Sequence, residues 1–107
     1  MVGDVTDVMS IAWDKEVLQV DGLMMVVFWA EWCKPCIKIL ATVDELAKEY
    51  SGQVKIVRLN IDDNEDIASK YKVSIIPTVM FFKHGQKLHE IICVVPKMQI
   101  EDAIKSL

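Results

Sequence analysis

The stretch FWAEWCKPCIK, residues 28–38, decides how the rest of the chain is read. Two cysteines, Cys33 and Cys36, stand two residues apart, with Lys34 and Pro35 between them and Trp32 just before. Such a pair can clip a metal, close a structural disulfide or exchange electrons. The flanking pattern discriminates. Upstream, LMMVVFWA (23–30) is a continuous apolar run that suits a central strand covered on both faces. Downstream, Cys36, Ile39, Leu40, Val43, Leu46, Ala47 and Tyr50 recur at spacings of three and four, a helical stripe that Gly52 ends. Pro35 fits this helix only in its first turn, where backbone N–H groups have no intrahelical partner to lose. The pair therefore straddles a strand-to-helix junction, with Cys33 at the helix N-terminus and Cys36 one turn on, facing inward.

That placement has a chemical consequence. A thiol attacks a disulfide only as thiolate, and the partial positive charge of a helix N-terminus favours the thiolate. Cys33 is expected to be the exposed nucleophile and Cys36 the buried resolving thiol. Lys34 and Pro35 are expected to tune the reactive thiol, Lys34 through its positive charge. A zinc site would want four ligands, and beyond the pair only Cys93, His84 and His89 offer themselves, the histidines on or beside a hairpin. A purely structural bridge closing so short a loop would add little stability. No resident metal or cofactor is expected.

Working outward, VKIVRLNI (54–61) reads as a second buried strand, parallel to the first and reached by a right-handed crossover. Asp62, Asp63 and Asn64 offer caps for a short helix through Ile67, Ala68 and Tyr71. TVMFF (78–82) and KLHEIICVV (87–95) flank a hairpin around Gly85, and Pro96 opens a last helix carrying Ile100, Ala103, Ile104 and Leu107. Val5 to Val8 suggests an edge strand, and Trp13, Val17 and Leu18 mark a first helix. The order β-α-β-α-β-α-β-β-α predicts an α/β sandwich with a mixed sheet, one domain over residues 1–107.

Composition sets limits on function. The chain has 107 residues, 52% hydrophobic and 26% charged, with a net charge of −4 and twelve scattered Lys and Arg. No basic stripe argues for nucleic acid, and no apolar run approaches the length that crosses a bilayer. The N-terminus lacks a basic region followed by an apolar one, so no export signal is expected. Three cysteines in such a chain point to a reducing, cytoplasmic setting, where a disulfide is more often catalytic than structural.

FWAEWCKPC, LNID (59–62), Ile76-Pro77-Thr78 and FFKHG (81–85), with VLQVDG (17–22) before the central strand, together resemble the thioredoxin family from Val5 to Leu107. The resemblance implies a three-layer α/β/α fold with a five-stranded mixed sheet and about four helices. It implies a monomeric protein-disulfide reductase acting on disulfide-containing proteins, with a thioredoxin reductase as electron donor. It also implies roles. The proline matching Pro77 follows a cis bond beside the cysteines, and Trp32, Ile76, Pro77 and Cys93 line the surface that receives substrate. Trp29 packs beneath the site. Four departures stand out. Lys34 replaces the usual glycine, and Cys93 replaces a glycine in the groove-lining loop. Val27 replaces a buried aspartate that relays the proton of the buried cysteine, so resolution is expected to be slower near neutral pH, or to use water or a substitute base such as Glu31. Arg58 matches a lysine that lies near that aspartate. Ala41 stands where most members have a proline, so a straighter helix is expected. These departures leave room for a catalytically weak binding module, or for a narrow-specificity oxidant or isomerase, on the same fold.

Overall fold

The computed structural model describes residues 5–107. Strand β2, Leu23–Trp29, occupies the middle of the sheet, and all seven of its residues are buried. The strand order is β1-β3-β2-β4-β5. β3 (Val54–Asn60) runs parallel to β2 along its whole length, from Leu23 opposite Val54 to Trp29 opposite Asn60. β4 (Thr78–Lys83) lies antiparallel on the other side, with Val27 opposite Val79. β1 (Thr6–Asp7) and β5 (Gln86–Ile92) form the edges. A continuous apolar run is what such a position demands, because both faces of the strand are withdrawn from water.

Side chains alternate between the two faces. Leu23, Met25, Val27 and Trp29 point to one core, where α1 (Lys34–Glu49) contributes Cys36, Ile39, Leu40, Val43, Leu46 and Ala47. α3 (Lys97–Ser106) adds Ile100, Ala103 and Ile104 to that core. Met24, Val26 and Phe28 point the other way, onto Trp13, Val17, Ile67, Met80 and Phe82, under the N-terminal segment and α2 (Glu65–Lys70). The period-2 split of β2 thus produces three layers, the α/β/α arrangement the sequence implies.

The ends of α1 and α3 are strapped together. Tyr50 donates its hydroxyl to Glu101 Oε2 at 2.9 Å, and Lys97 pairs with Glu49 and, at 3.5 Å, with Glu45. The Glu101 hydrogen bond raises the Tyr50 pKa, and the Glu49 hydrogen bond raises that of Lys97.

Four local details differ from the sequence reading. The first helix is a 3₁₀ turn (Ser10–Ala12) followed by a π-helical turn (Asp14–Leu18), joined through Trp13, whose torsions are α-helical. Packing dictates this: Trp13 is buried, its ring 5.3 Å from Tyr71 and 5.6 Å from Phe82, and its indole N–H reaches the Tyr71 hydroxyl at 3.3 Å. The edge strand at Val5 to Val8 shortens to Thr6–Asp7, though Val8 still donates its N–H to the Arg58 carbonyl. The last strand stops at Ile92 because Cys93 turns into the left-handed region. The hairpin around Gly85 falls where expected, with His84 and Gly85 both at positive φ, as a two-residue turn needs. A side chain at Gly85 would also meet the Leu18 carbonyl at 3.3 Å, so the hairpin packs closely under the π-helical turn.

The fourth concerns Asn64. It occupies the N-cap of α2, as its residue type suggests, yet makes no capping bond. Its side chain is buried and turned instead toward the N-terminal segment. Oδ1 accepts from the Ser10 N–H at 2.8 Å and the Ser10 hydroxyl at 3.0 Å, while Nδ2 donates to the Asn60 carbonyl at 3.0 Å. The Ser10 hydroxyl also meets the Asp66 carboxylate, and that bond holds the Asp66 pKa below its ordinary value.

Two predictions follow from this junction. Removing the Asn64 amide strands buried polar partners, so Asn64→Ala should cost about 2–3 kcal/mol. Urea denaturation should show this as a lowered midpoint at unchanged m-value. The Asp66 pKa is lowered on folding, so its contribution to stability is present above the unfolded carboxyl pKa and is lost as pH falls through the lowered folded value. In an NMR titration, Ser10→Ala should move the Asp66 carboxyl back up toward the ordinary range.

Candidate functional site

The junction between β2 and α1 carries the two cysteines. β2 ends at Trp29, Ala30 is fully buried, and the chain turns so that Cys33 becomes the N-cap of α1, with Lys34 and Pro35 opening the helix. The Cys33 N–H donates to the Ala30 carbonyl at 3.2 Å, and the Cys33 carbonyl accepts from the Ile37 N–H at 3.2 Å. Cys33 Sγ accepts from the Cys36 N–H at 3.2 Å, the place usually taken by a serine or aspartate oxygen. Its sulfur therefore fills the one position where an unpaired helix N–H can meet it. Cys33 and Cys36 are joined in a disulfide, with their Cα atoms 5.2 Å apart.

Burial separates the two thiols less than the residue pattern suggests. Cys33 retains 5% of its surface and Cys36 none. The order is the expected one, but in this oxidised form Cys33 is buried rather than out on the surface. Lys34, Pro35 and Ile37 are exposed around it.

Next to Cys33 lies the Ile76–Pro77 dipeptide, whose peptide bond is cis. The Ile76 carbonyl oxygen lies 3.9 Å from Cys33 Sγ, and the Pro77 carbonyl accepts the Cys93 N–H at 2.9 Å. Cys33 and Cys93 thus both contact the same dipeptide. Cys93 is free, exposed and held at φ 73°, a conformation glycine adopts without penalty and other residues rarely enter. Ile75, Ile92 and Val94, beside these residues, are also exposed.

Trp32 lies in the turn just before Cys33. It is 68% exposed, and its indole N–H donates to Asp62 Oδ2 at 2.8 Å, which fixes the ring over the β3–α2 loop. The Asp62 N–H in turn donates to Asn60 Oδ1 at 2.9 Å. Glu31, Trp32, Asn60, Asp62 and Asp63 line a pocket there.

The structure brings Cys33, Cys36, Ile76, Pro77 and Cys93 into one neighbourhood, with Lys34, Pro35 and Trp32 on its margin. Glu31, named as a substitute for a buried carboxylate, is exposed in the acidic pocket. Arg58, matched to a lysine near that carboxylate, stands opposite Val27 in the register of β2 and β3. The Arg58 guanidinium stacks 4.9 Å above the Trp29 ring and donates through Nε to Asp7 at 2.6 Å. Val27 is fully buried in the same core as Cys36. Residue patterns alone did not single out Asp62 as the anchor of Trp32, although it closes the LNID motif. Nor did they single out Ile75, Ile92 and Val94, whose exposure depends on where the strands end.

The thioredoxin family model matches residues 4–106. The chain is 45% identical over 104 residues to a chloroplastic M-type thioredoxin of Spinacia oleracea, covering 97% of this chain and 58% of that protein. It is 42% identical over 91 residues to a thioredoxin 1 of Nostoc, covering 85% of each. It is 45% identical over 87 residues to a thioredoxin of Rickettsia felis, covering 81% of this chain and 80% of that one. The chain belongs to the thioredoxin family. It spans about three-fifths of the length of the spinach and pea relatives it matches.

The strained turn at Cys93 gives a test of this description. Cys93→Gly removes a Cβ from a left-handed residue and should stabilise the oxidised protein by about 1 kcal/mol, the gain being reduced by the greater freedom of glycine in the unfolded chain. Cys93→Ala, which keeps the Cβ, should shift stability by less than about 0.5 kcal/mol. Urea denaturation of both variants under non-reducing conditions checks the pair.

Proposed function

We propose that this chain is a thiol-disulfide oxidoreductase that reduces disulfides in partner proteins. The observation that carries the reading is the Cys33–Cys36 disulfide closed at the first turn of α1, with Cys33 Sγ on the Cys36 N–H and facing the Ile76 carbonyl. In the reduced protein that N–H and the helix N-terminus favour the Cys33 thiolate over the thiol. Lys34, exposed at the first helical position, adds positive charge.

The cycle runs as follows. The Cys33 thiolate attacks one sulfur of the partner disulfide, that bond breaks, and a mixed disulfide joins Cys33 to the partner. Cys36 loses its proton and attacks Cys33 Sγ. The mixed bond breaks, the partner leaves as a dithiol after protonation, and the Cys33–Cys36 disulfide closes. Two electrons pass to the partner, and an external dithiol or reductase returns them.

Trp32, Ile76, Pro77 and Cys93, with exposed Ile75, Ile92 and Val94, form the apolar surface on which the partner docks. The chain acts as a monomer in a reducing, cytoplasmic-type compartment, with a thioredoxin reductase as the donor. Family membership supports the disulfide-reductase part of this reading, while the spinach and pea relatives are named as chloroplastic thioredoxins.

A specific observation favours a second reading. Cys93 places a side chain at φ 73° beside the Ile76–Pro77 wall, where a glycine would leave the partner backbone room. On that reading the fold is a binding module with weak turnover or a narrow partner range.

Turnover of a model protein disulfide driven by dithiothreitol distinguishes the two. Cys33→Ser should fall to the uncatalysed background, and Cys36→Ser should accumulate a mixed disulfide visible by mass spectrometry. If the unaltered protein does no better than Cys33→Ser, the reductase reading fails and the binding module stands. If Cys33→Ser is fully active, both cysteine roles are wrong.

A further inference from the structure

The end of β5 and the start of α3 are joined by residues 93–96, a segment with no regular structure. Cys93 and Val94 are exposed on it, and both belong to the surface assigned above to partner docking. At the front of the segment the Cys93 N–H is bonded to the Pro77 carbonyl at 2.9 Å. Among the described residues, Val94 and Val95 donate no backbone hydrogen bond, and Pro96 has no N–H to give. Val95 packs partly against the core. The shape of the segment therefore depends on where α3 begins.

Local chemistry gives α3 a poor start. Its N-cap is Pro96, which supplies no side-chain bond, and no acidic residue stands in its first turn. Its first residue is Lys97, a positive charge at the helix end that favours negative charge. α1 has the mirror-image fault, with Glu45 and Glu49 close to its C-terminus. The two faults cancel in the fold. Lys97 Nζ meets the Glu49 carboxylate and lies 3.5 Å from Glu45 Oε2, so one ammonium bridges two carboxylates a turn apart on α1. The Tyr50 hydroxyl also ties α1 to α3, but it reaches Glu101, a turn further from the segment.

We infer that Lys97 is a positioning residue for partner docking: by bridging Glu45 and Glu49 it fixes the point at which α3 begins, and so holds Cys93 and Val94 in the arrangement the partner meets. The inference rests on the docking role proposed for that surface. Without the bridge the segment populates other shapes. Apparent affinity for the partner then falls with the fraction that stays competent, while the chemistry at Cys33 is unaltered.

The test measures KM and kcat for insulin reduction driven by dithiothreitol. Beside it stands the rate at which reduced protein attacks a bis(nitrobenzoate) disulfide, a reagent too small to need the segment. Lys97→Met keeps the apolar stem and loses the charge. It should raise KM for insulin about threefold to fivefold, and leave kcat and the small-reagent rate within about twofold. Lys97→Arg, whose guanidinium still bridges carboxylates, should restore KM. Glu45→Gln combined with Glu49→Gln should raise KM as Lys97→Met does, although it changes net charge in the opposite direction. Tyr50→Phe should leave KM where it is.

An unchanged KM in Lys97→Met would overturn the inference. So would a lowered KM in the double glutamine variant, the mark of a net-charge effect, or an equal rise in Tyr50→Phe, the mark of a general loosening of α3. Failure of the unaltered, reduced protein to react with either disulfide would instead overturn the reductase reading. Amide exchange then judges the segment by itself. The Cys93 N–H should exchange at least about threefold faster in Lys97→Met and no faster in Tyr50→Phe, and equal exchange in the two would end the positioning role.

Discussion

Everything at the site depends on β2 being buried on both faces. A strand paired on each side and covered above and below has no freedom to slip, because a shift of one residue would exchange its two sets of side chains between cores. Its register with β3 and β4 is therefore firm along its length. That firmness reaches the chemistry through four residues. Trp29 ends the strand, Ala30 is buried behind it, and the turn through Glu31 and Trp32 delivers Cys33 to the start of α1. β4 arrives antiparallel beside β2, so its first residue, Thr78, lies opposite Phe28. The Ile76–Pro77 dipeptide that precedes it is thereby set against Cys33. Two loops far apart in sequence meet because one strand fixes both.

Much of this is legible in the residues. The unbroken apolar run of β2, the helical stripe from Cys36 to Tyr50 and the turn at Gly85 each have a local physical cause, so a reader of the sequence can find them. What escaped has a common character. Asn64 has the residue type of a cap, and its position as N-cap was foreseeable, but the pull of Ser10 on its amide comes from a segment far away in sequence. The first helix breaks into a 3₁₀ and a π-helical turn because Trp13 must reach Tyr71 and Phe82, a demand set by tertiary packing. Cys93 looked like the interior of a strand because its neighbours are apolar and β-branched. Its left-handed turn is imposed by the bond from its N–H to the Pro77 carbonyl. The cysteine pair is contiguous in sequence and lies at the strand-to-helix junction its flanks indicate. What surrounds it is assembled from strand ends, and Ile75, Ile92, Val94 and the Asp62 that anchors Trp32 leave no local signal.

The two cysteines sit three residues apart in the same apolar cluster, and they differ less in burial than in what each sulfur meets. Cys33 Sγ meets a backbone N–H at the edge of solvent, where a negative charge is welcome. Cys36 belongs to the apolar core that holds α1 and α3 to the sheet, where a negative charge is costly. The helix makes this difference unavoidable, since residues three apart on the first turn cannot both lie at the opening when that helix's inner face packs on β2. An asymmetric pair of thiols is thus a consequence of packing an amphipathic helix behind a central strand.

Val27 carries that logic one step further. A buried carboxylate at this position would cost stability through desolvation, while valine packs against the same neighbours with no such penalty. Valine at this position therefore favours the core that holds α1 and α3 to the sheet. The thiol chemistry proposed for the site draws on other interactions, the α1 N-terminus and the Ile76 carbonyl beside Cys33. Changes in that core and changes around Cys33 are then separable, since the first alter how firmly the helix is held and the second what the sulfur meets.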